Sequence, residues 1–224
     1  PELFSNDHIM DLCSSDMTYR QYSINQLQRV VDVTRKLKEF FPATKKPVIV
    51  VNVGGFTTSA PLPKHARLDL YRLVYESIQC IDTSGVEIIP QTMPPFPWHM
   101  GGQQYHNLFV DPDEIVDFCE QTGMRVCYDV SHSGLACNHN HYSFTDFTHK
   151  VLPYTAHLHI ADALGHDGEG LQIFDGDLDF KMLFNEIQKY PEIHSFIPEI
   201  WQGHENNGEG FWMALELLED LINS

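Results

Sequence analysis

Positive charge is scarce in this chain. Fourteen lysines and arginines face 31 aspartates and glutamates, a formal net charge of −17 over 224 residues. Such a surface repels a phosphodiester backbone at long range, which disfavours nucleic acid as the main partner. It does not exclude a small phosphorylated ligand held locally. The five cysteines, at positions 13, 80, 119, 127 and 137, form no C-x-x-C pair and are odd in number. They read as free thiols of a reducing cytoplasm, not as a disulfide framework. No apolar run approaches the length of a membrane span, and no signal peptide is visible. The glycine pair that closes VIVVNVGG lacks the G-x-G-x-x-G spacing of a dinucleotide site, and neither GEG, at 168–170 or 208–210, has a lysine beside it to make a phosphate cradle. An initial methionine is missing too. The chain opens on Pro1, which leads us to expect processing or a longer parent chain.

What is present is a regular alternation. Hydrophobic residues make up 42% of the chain, enough for one core, so residues 1–224 are expected to form a single domain. Five short apolar segments read as strands: Val48–Gly55, Val86–Gln91, Arg125–Val130, Ala156–Ala161 and Ser195–Ile200. Helical spacing predicts helices over 20–41, 64–81, 111–121, 143–152, 178–190 and 211–222. Strict βα alternation, with long segments after the strands, predicts an α/β fold of parallel strands of the (β/α) TIM-barrel type. The stretch Thr92–Val110 reads as a long loop or lid carrying Trp98, His99, Gln103, Tyr105 and His106. SHSGLACNHNH and DALGHDGEGLQIFDGD also read as loops.

Polar residues stand at the strand ends, the side on which parallel α/β proteins place their sites. Asn52, Gln91, Asp129, His159 and Glu199 each fall at the end of a different strand. Asp129 alone reads equally well as a turn former or a helix cap, but His132 follows it three residues later and tips the reading toward function. His157 and His159 alternate onto one face. His159, nearer the strand end, is the candidate ligand and His157 an interior residue. Asp162 is open between a substrate contact and a loop residue. Gln91 and Glu199 both follow a proline, in IIPQ and FIPE, which fixes the backbone just before the polar side chain. The candidate metal ligands are therefore Gln91, Asp129, His159 and Glu199. Their oxygen-rich set with one imidazole suits Mn²⁺ or Mg²⁺, with Co²⁺ and Zn²⁺ left open. The candidate substrate contacts are Asn52, Trp98, His99, His132, Asp162 and Trp201.

The stretches VIVVNVGG, VCYDVSH, HLHIADA, IFDGDLDF and IPEIW, in that order, resemble the xylose isomerase-like TIM-barrel family. That family holds sugar-phosphate isomerases and epimerases, and DNA-repair enzymes of the endonuclease IV type. The resemblance covers most of Val48–Trp201. It implies that the family's Glu, Asp, His and Glu ligands fall on Gln91, Asp129, His159 and Glu199, and that His132 matches the family's D-x-x-H histidine. Gln91 departs from the expected Glu, and Asn52 stands where several members have His. FDGDLDF lacks the D-x-H pair of the three-zinc members, which with the negative charge disfavours DNA repair. The five strands would correspond to the family's fourth to eighth, with PELFSND following the third, so the barrel in this chain would be incomplete. Open edges would then favour a longer chain or a homo-oligomer. The implied activity is a divalent-metal-dependent isomerase or epimerase acting on a sugar or sugar phosphate by proton transfer next to a carbonyl. Glu199 would move the proton and His132 would steady the oxygen. The alternative is a non-catalytic sugar-binding barrel module of a larger protein, which Gln91 in place of Glu supports.

Overall fold

The structure, a computed structural model, describes residues 9–99, 102–193 and 195–223. The opening PELFSND lies outside them, and so do the side chains of Trp98 and His99. The chain divides into two compact units, Pro1–Gln91 with Trp98–Leu108 and Thr92–Pro97 with Phe109–Ser224.

In the first unit, Asp16 caps helix α1 (Met17–Leu37) by accepting from the Thr18 and Tyr19 amides, and Arg35 and Lys36 in its last turn complement the carbonyl end. Strand β1 (Val48–Val51) leads to Gly54, whose φ of 93° and close approach to the Asp11 backbone leave no room for a Cβ. Strand β2 (Phe56–Thr57), helix α2 (Lys64–Gln79) and strand β3 (Glu87–Pro90) follow. β1 and β3 run parallel, with Val48 opposite Glu87 and Val51 opposite Pro90. The stretch expected to be a lid contains three two-residue strands: β4 (Trp98–His99), β5 (Gly102–Gln103) and β6 (Tyr105–His106). β4 pairs with β5, and β6 pairs antiparallel with β2. The Asn107 amide locks that corner, accepting from Leu62 N–H at 2.6 Å and donating to the Gly55 carbonyl at 2.8 Å.

The second unit begins its helices with α3 (Pro112–Thr122), capped by Asp111 and stopped by Gly123 in the left-handed region. Strand β7 (Val126–Asp129) runs straight into helix α4 (Val130–Asn140), then helix α5 (Phe144–Val151) and strand β8 (Thr155–Ile160). A hairpin of β9 (Asp162–Leu164) and β10 (Gly168–Leu171), helix α6 (Phe180–Ile187), strand β11 (Phe196–Pro198) and helix α7 (Glu205–Asn223) complete it. The parallel order is β7-β8-β11. β7 is buried along its whole length, as a central parallel strand should be. Tyr128 stacks on Phe147, and its hydroxyl lies 2.8 Å from Thr148 Oγ1.

The five parallel strands expected from the sequence are thus present, as a pair and a triplet, and no closed sheet forms among the described residues. α4 is the main correction, since SHSGLACNHNH was expected to be a loop. Residues Val130–Cys137 are all buried, so this helix has no polar face and no amphipathic period to betray it. Among the described residues no helix is long and apolar enough to cross a membrane.

Candidate metal centre

In the second unit, β7 ends on Asp129, β8 carries His159 directly opposite it, and Glu199 follows the last residue of β11. Parallel strands in adjacent register bring these three side chains to one edge. His159 Nδ1 lies 2.6 Å from Glu199 Oε2 and 3.6 Å from Asp129 Oδ2. One donor atom from each residue falls within 4.8 Å of the other two. Asp129 is buried, whereas the Glu199 side chain is 55% exposed, so the group opens to solvent at Glu199.

Asp129 is held from several sides. Its Oδ1 accepts from the His132 amide at 2.9 Å, which caps α4 and leaves Oδ2 facing the two histidines. Its own amide donates to Thr92 Oγ1 at 2.9 Å. Burial pushes the Asp129 carboxyl up, but the charge of His132 and the hydrogen bond and charge of His159 together hold it below the ordinary carboxylate value.

His132 sits between two carboxylates. Nδ1 is 3.2 Å from Asp129 Oδ2 and 3.0 Å from the Thr92 carbonyl, and Nε2 is 3.1 Å from Glu169 Oε1. Burial disfavours its charge, yet Asp129 and Glu169 raise the imidazole to about 9. His159 is likewise penalised by burial and raised to about 12 by its bonds to Asp129, Cys127 and Glu199. His157 behaves oppositely. Burial and the charge of His159 lower it to about 4, and its Nδ1 rests 2.8 Å from Ser195 Oγ, as an interior histidine.

A proton on His159 therefore sits where two carboxylates point at one imidazole nitrogen. Two carboxylate oxygens and one nitrogen in that arrangement are a donor set for a divalent cation, which would take the place of that proton. The residues fit such an ion.

The other expected contacts are distributed unevenly. Asp162 is fully buried. Its Oδ1 accepts from the Ala163 and Leu178 amides and its Oδ2 from the Gly176 amide, so it organises the loop between β10 and α6 rather than facing a ligand. Trp201 is 75% exposed, its amide donating to the Gly170 carbonyl at 2.7 Å. Asn52 lies in the first unit and accepts from the Gly54 amide. Gln91 follows β3 in that unit, its amide donating to the Val51 carbonyl. Glu169 is not among the residues the sequence singles out, because its GEG lies in a stretch that reads as a loop. Its only mark there is an acid in the segment after the His159 strand.

The second unit is thus an α/β arrangement of parallel strands that gathers a polar triad at one strand edge. The chain belongs to the xylose isomerase-like TIM barrel family, which it matches over residues 2–221. A search of curated proteins finds no significant match. Among solved structures, it is similar to a D-tagatose 3-epimerase-like protein, with 16% identity and a TM-score of 0.72, covering 98% of this chain and 74% of the other. It is also similar to D-psicose 3-epimerase of Clostridium cellulolyticum H10 solved with D-tagatose, with 14% identity and a TM-score of 0.68, covering 95% and 74%. A third is the probable 3-DHS dehydratase AsbF of Bacillus anthracis, with 14% identity and a TM-score of 0.61, covering 92% and 72%. At such identities the likeness shows the shared fold.

Proposed function

We propose that the chain is a divalent-metal-dependent isomerase or epimerase acting on a sugar or sugar phosphate by proton transfer next to a carbonyl. The observation that carries this reading is the convergence of Asp129, His159 and Glu199 on one strand edge. The family and its sugar-epimerase neighbours support it. A bound Mn²⁺ or Mg²⁺ would polarise a sugar carbonyl and its neighbouring hydroxyl and so acidify the C–H on the hydroxyl-bearing carbon next to the carbonyl. Asp129, His159 and Glu199 would hold the ion, and the exposed Glu199 carboxylate would take and return the proton. His132, kept charged between Asp129 and Glu169, supplies positive charge close to the developing oxyanion. Both of its ring nitrogens have protein partners, so a direct contact from Nε2 to substrate requires Glu169 to yield its place. Gln91, the fourth ligand expected on sequence grounds, carries an amide that does not titrate. It cannot be a second base, which favours one-base aldose–ketose isomerisation over two-base epimerisation.

Solvent-deuterium exchange into ketoses, with Mn²⁺ present, tests the reading in wild type, Glu199→Gln, Asp129→Asn and Gln91→Glu. Exchange in wild type that is lost in the first two variants is expected. Exchange persisting in Glu199→Gln removes it as the base. The second reading, a binding module, is favoured by Gln91 and predicts exchange only in Gln91→Glu.

A further inference from the structure

We propose that the second unit carries a surface site for a transition-metal cation of the Zn²⁺, Ni²⁺ or Cu²⁺ kind, held by His139 and His166. It shares no residue with the strand-edge triad and stands whatever that triad binds. His139 lies in the last turn of α4, and His166 lies in the turn between β9 and β10. Their rings meet edge to face, with centroids 6.0 Å apart and planes at 86°. Two imidazoles sharing one tetrahedral ion place their ring centroids roughly 5–6 Å apart, since each metal–nitrogen bond is about 2 Å long. The pair is therefore spaced close to what a shared ion requires.

The backbone beside each histidine fixes that spacing. Asn138, just before His139, donates from Nδ2 to the carbonyl of Gly165, just before His166, at 2.7 Å. Further up α4, Gly134 has no room for a Cβ, which would stand 2.7 Å from Leu178 and 3.2 Å from Ala163 of β9. Helix and hairpin are thus in close contact, and the two histidines stand on tied segments of the same unit. Both are exposed, so water can fill the remaining positions around an ion.

Their nitrogens are open to a ligand. Among the described residues, no hydrogen bond or ion pair engages a ring nitrogen of His139 or His166. By contrast, His132, His149, His157 and His159 of the same unit each meet a carboxylate or a hydroxyl. Partial desolvation, and then the neighbouring His166 and His141, hold the His139 imidazole below its ordinary value, so at pH 7 it is neutral and offers a lone pair. A pair of neutral imidazoles prefers Zn²⁺, Ni²⁺ and Cu²⁺ to the Mg²⁺ and Mn²⁺ that suit an oxygen-rich centre. His139 also stands at the C-terminal end of α4, the end of a helix that favours positive charge. An ion held here would join the end of α4 to the turn of the β9–β10 hairpin.

The test follows the imidazole nitrogen signals by NMR while the full chain, in excess Mg²⁺, is titrated with Zn²⁺. The His139 and His166 signals should move together along one binding curve, and Mg²⁺ alone should move neither. His166→Ala should weaken Zn²⁺ binding at His139 by about tenfold or more, as the loss of a direct ligand requires. His204→Ala, which removes another exposed histidine of the unit, should leave the curve as it is. Signals of His139 and His166 that stay still in the wild type overturn the proposal. So does a His139 signal that moves just as readily in His166→Ala. His159 reports the strand-edge triad in the same spectra, so failure of that triad looks different from failure here.

Discussion

At Asp162, a carboxylate three residues beyond a candidate ligand is given over entirely to backbone amides. The ordinary way to lose such a group is not loss of chemistry but loss of fold. Asp162→Asn keeps one oxygen for Ala163 and Leu178 but turns an NH₂ toward the Gly176 amide, leaving a buried donor without an acceptor. We expect a loss of about 1–3 kcal/mol in urea unfolding, with Mn²⁺ affinity nearly unchanged. A loss of sugar affinity at unchanged stability would return Asp162 to the role of substrate contact. A place at or just beyond a strand end marks both Asp162 and Asp129, and the sequence offers each of them two readings. For Asp129 the structure shows the cap directly, through Oδ1 and the His132 amide, and leaves Oδ2 toward His159. One residue type at a strand end can thus serve either role. Which oxygen faces which partner is decided by contacts some 40 residues away, such as Thr92, that no local pattern encodes.

At the level of elements, the strands and amphipathic helices were legible because burial on one side leaves a period in the sequence. α4 left none, being buried all round from Val130 to Cys137 and rich in Ser, His and Asn, which read as loop formers. The β9–β10 hairpin was illegible for another reason. Its anchors are tertiary: Ser131 Oγ accepts from the Gly170 amide and donates to the Asp162 carbonyl. Ser131→Ala leaves the Gly170 amide buried without that acceptor, which costs about 1–3 kcal/mol. The hairpin should then loosen, Glu169 should withdraw from His132, and the His132 imidazole should titrate below its value of about 9. NMR titration of the metal-free protein reads that shift, and an unmoved titration would show that the hairpin is held by something else.

For the whole molecule, the histidines set the dependence of stability on pH. His157 is lowered to about 4, so the unfolded chain binds a proton that the folded chain refuses, and stability falls as pH drops from about 6.5 toward 4. Asp129 is held below its ordinary value, and its contribution is lost at lower pH still. His132 and His159 are raised to about 9 and about 12, so their contribution is complete below about 6.5 and fades as pH rises through those values. The metal-free protein should therefore be most stable near pH 6.5, with shoulders falling on both sides. Denaturant midpoints across pH 4–10 check this; a midpoint that rises steadily to pH 9 would contradict the charged state of both histidines. Mn²⁺ should release about one proton on binding at pH 8, the one on His159, which calorimetry in two buffers of different ionisation enthalpy measures.

The segment Thr92–Pro97 belongs to the second unit, while the residues just before and just after it belong to the first. The chain thus alternates between them, and no single break yields both whole. A fragment starting at Phe109 would carry Asp129, His159 and Glu199 but leave behind Thr92, whose hydroxyl takes the Asp129 amide and whose carbonyl meets His132. A single junction at Phe109 therefore parts the three candidate ligands from the residue that props Asp129 and His132 in place.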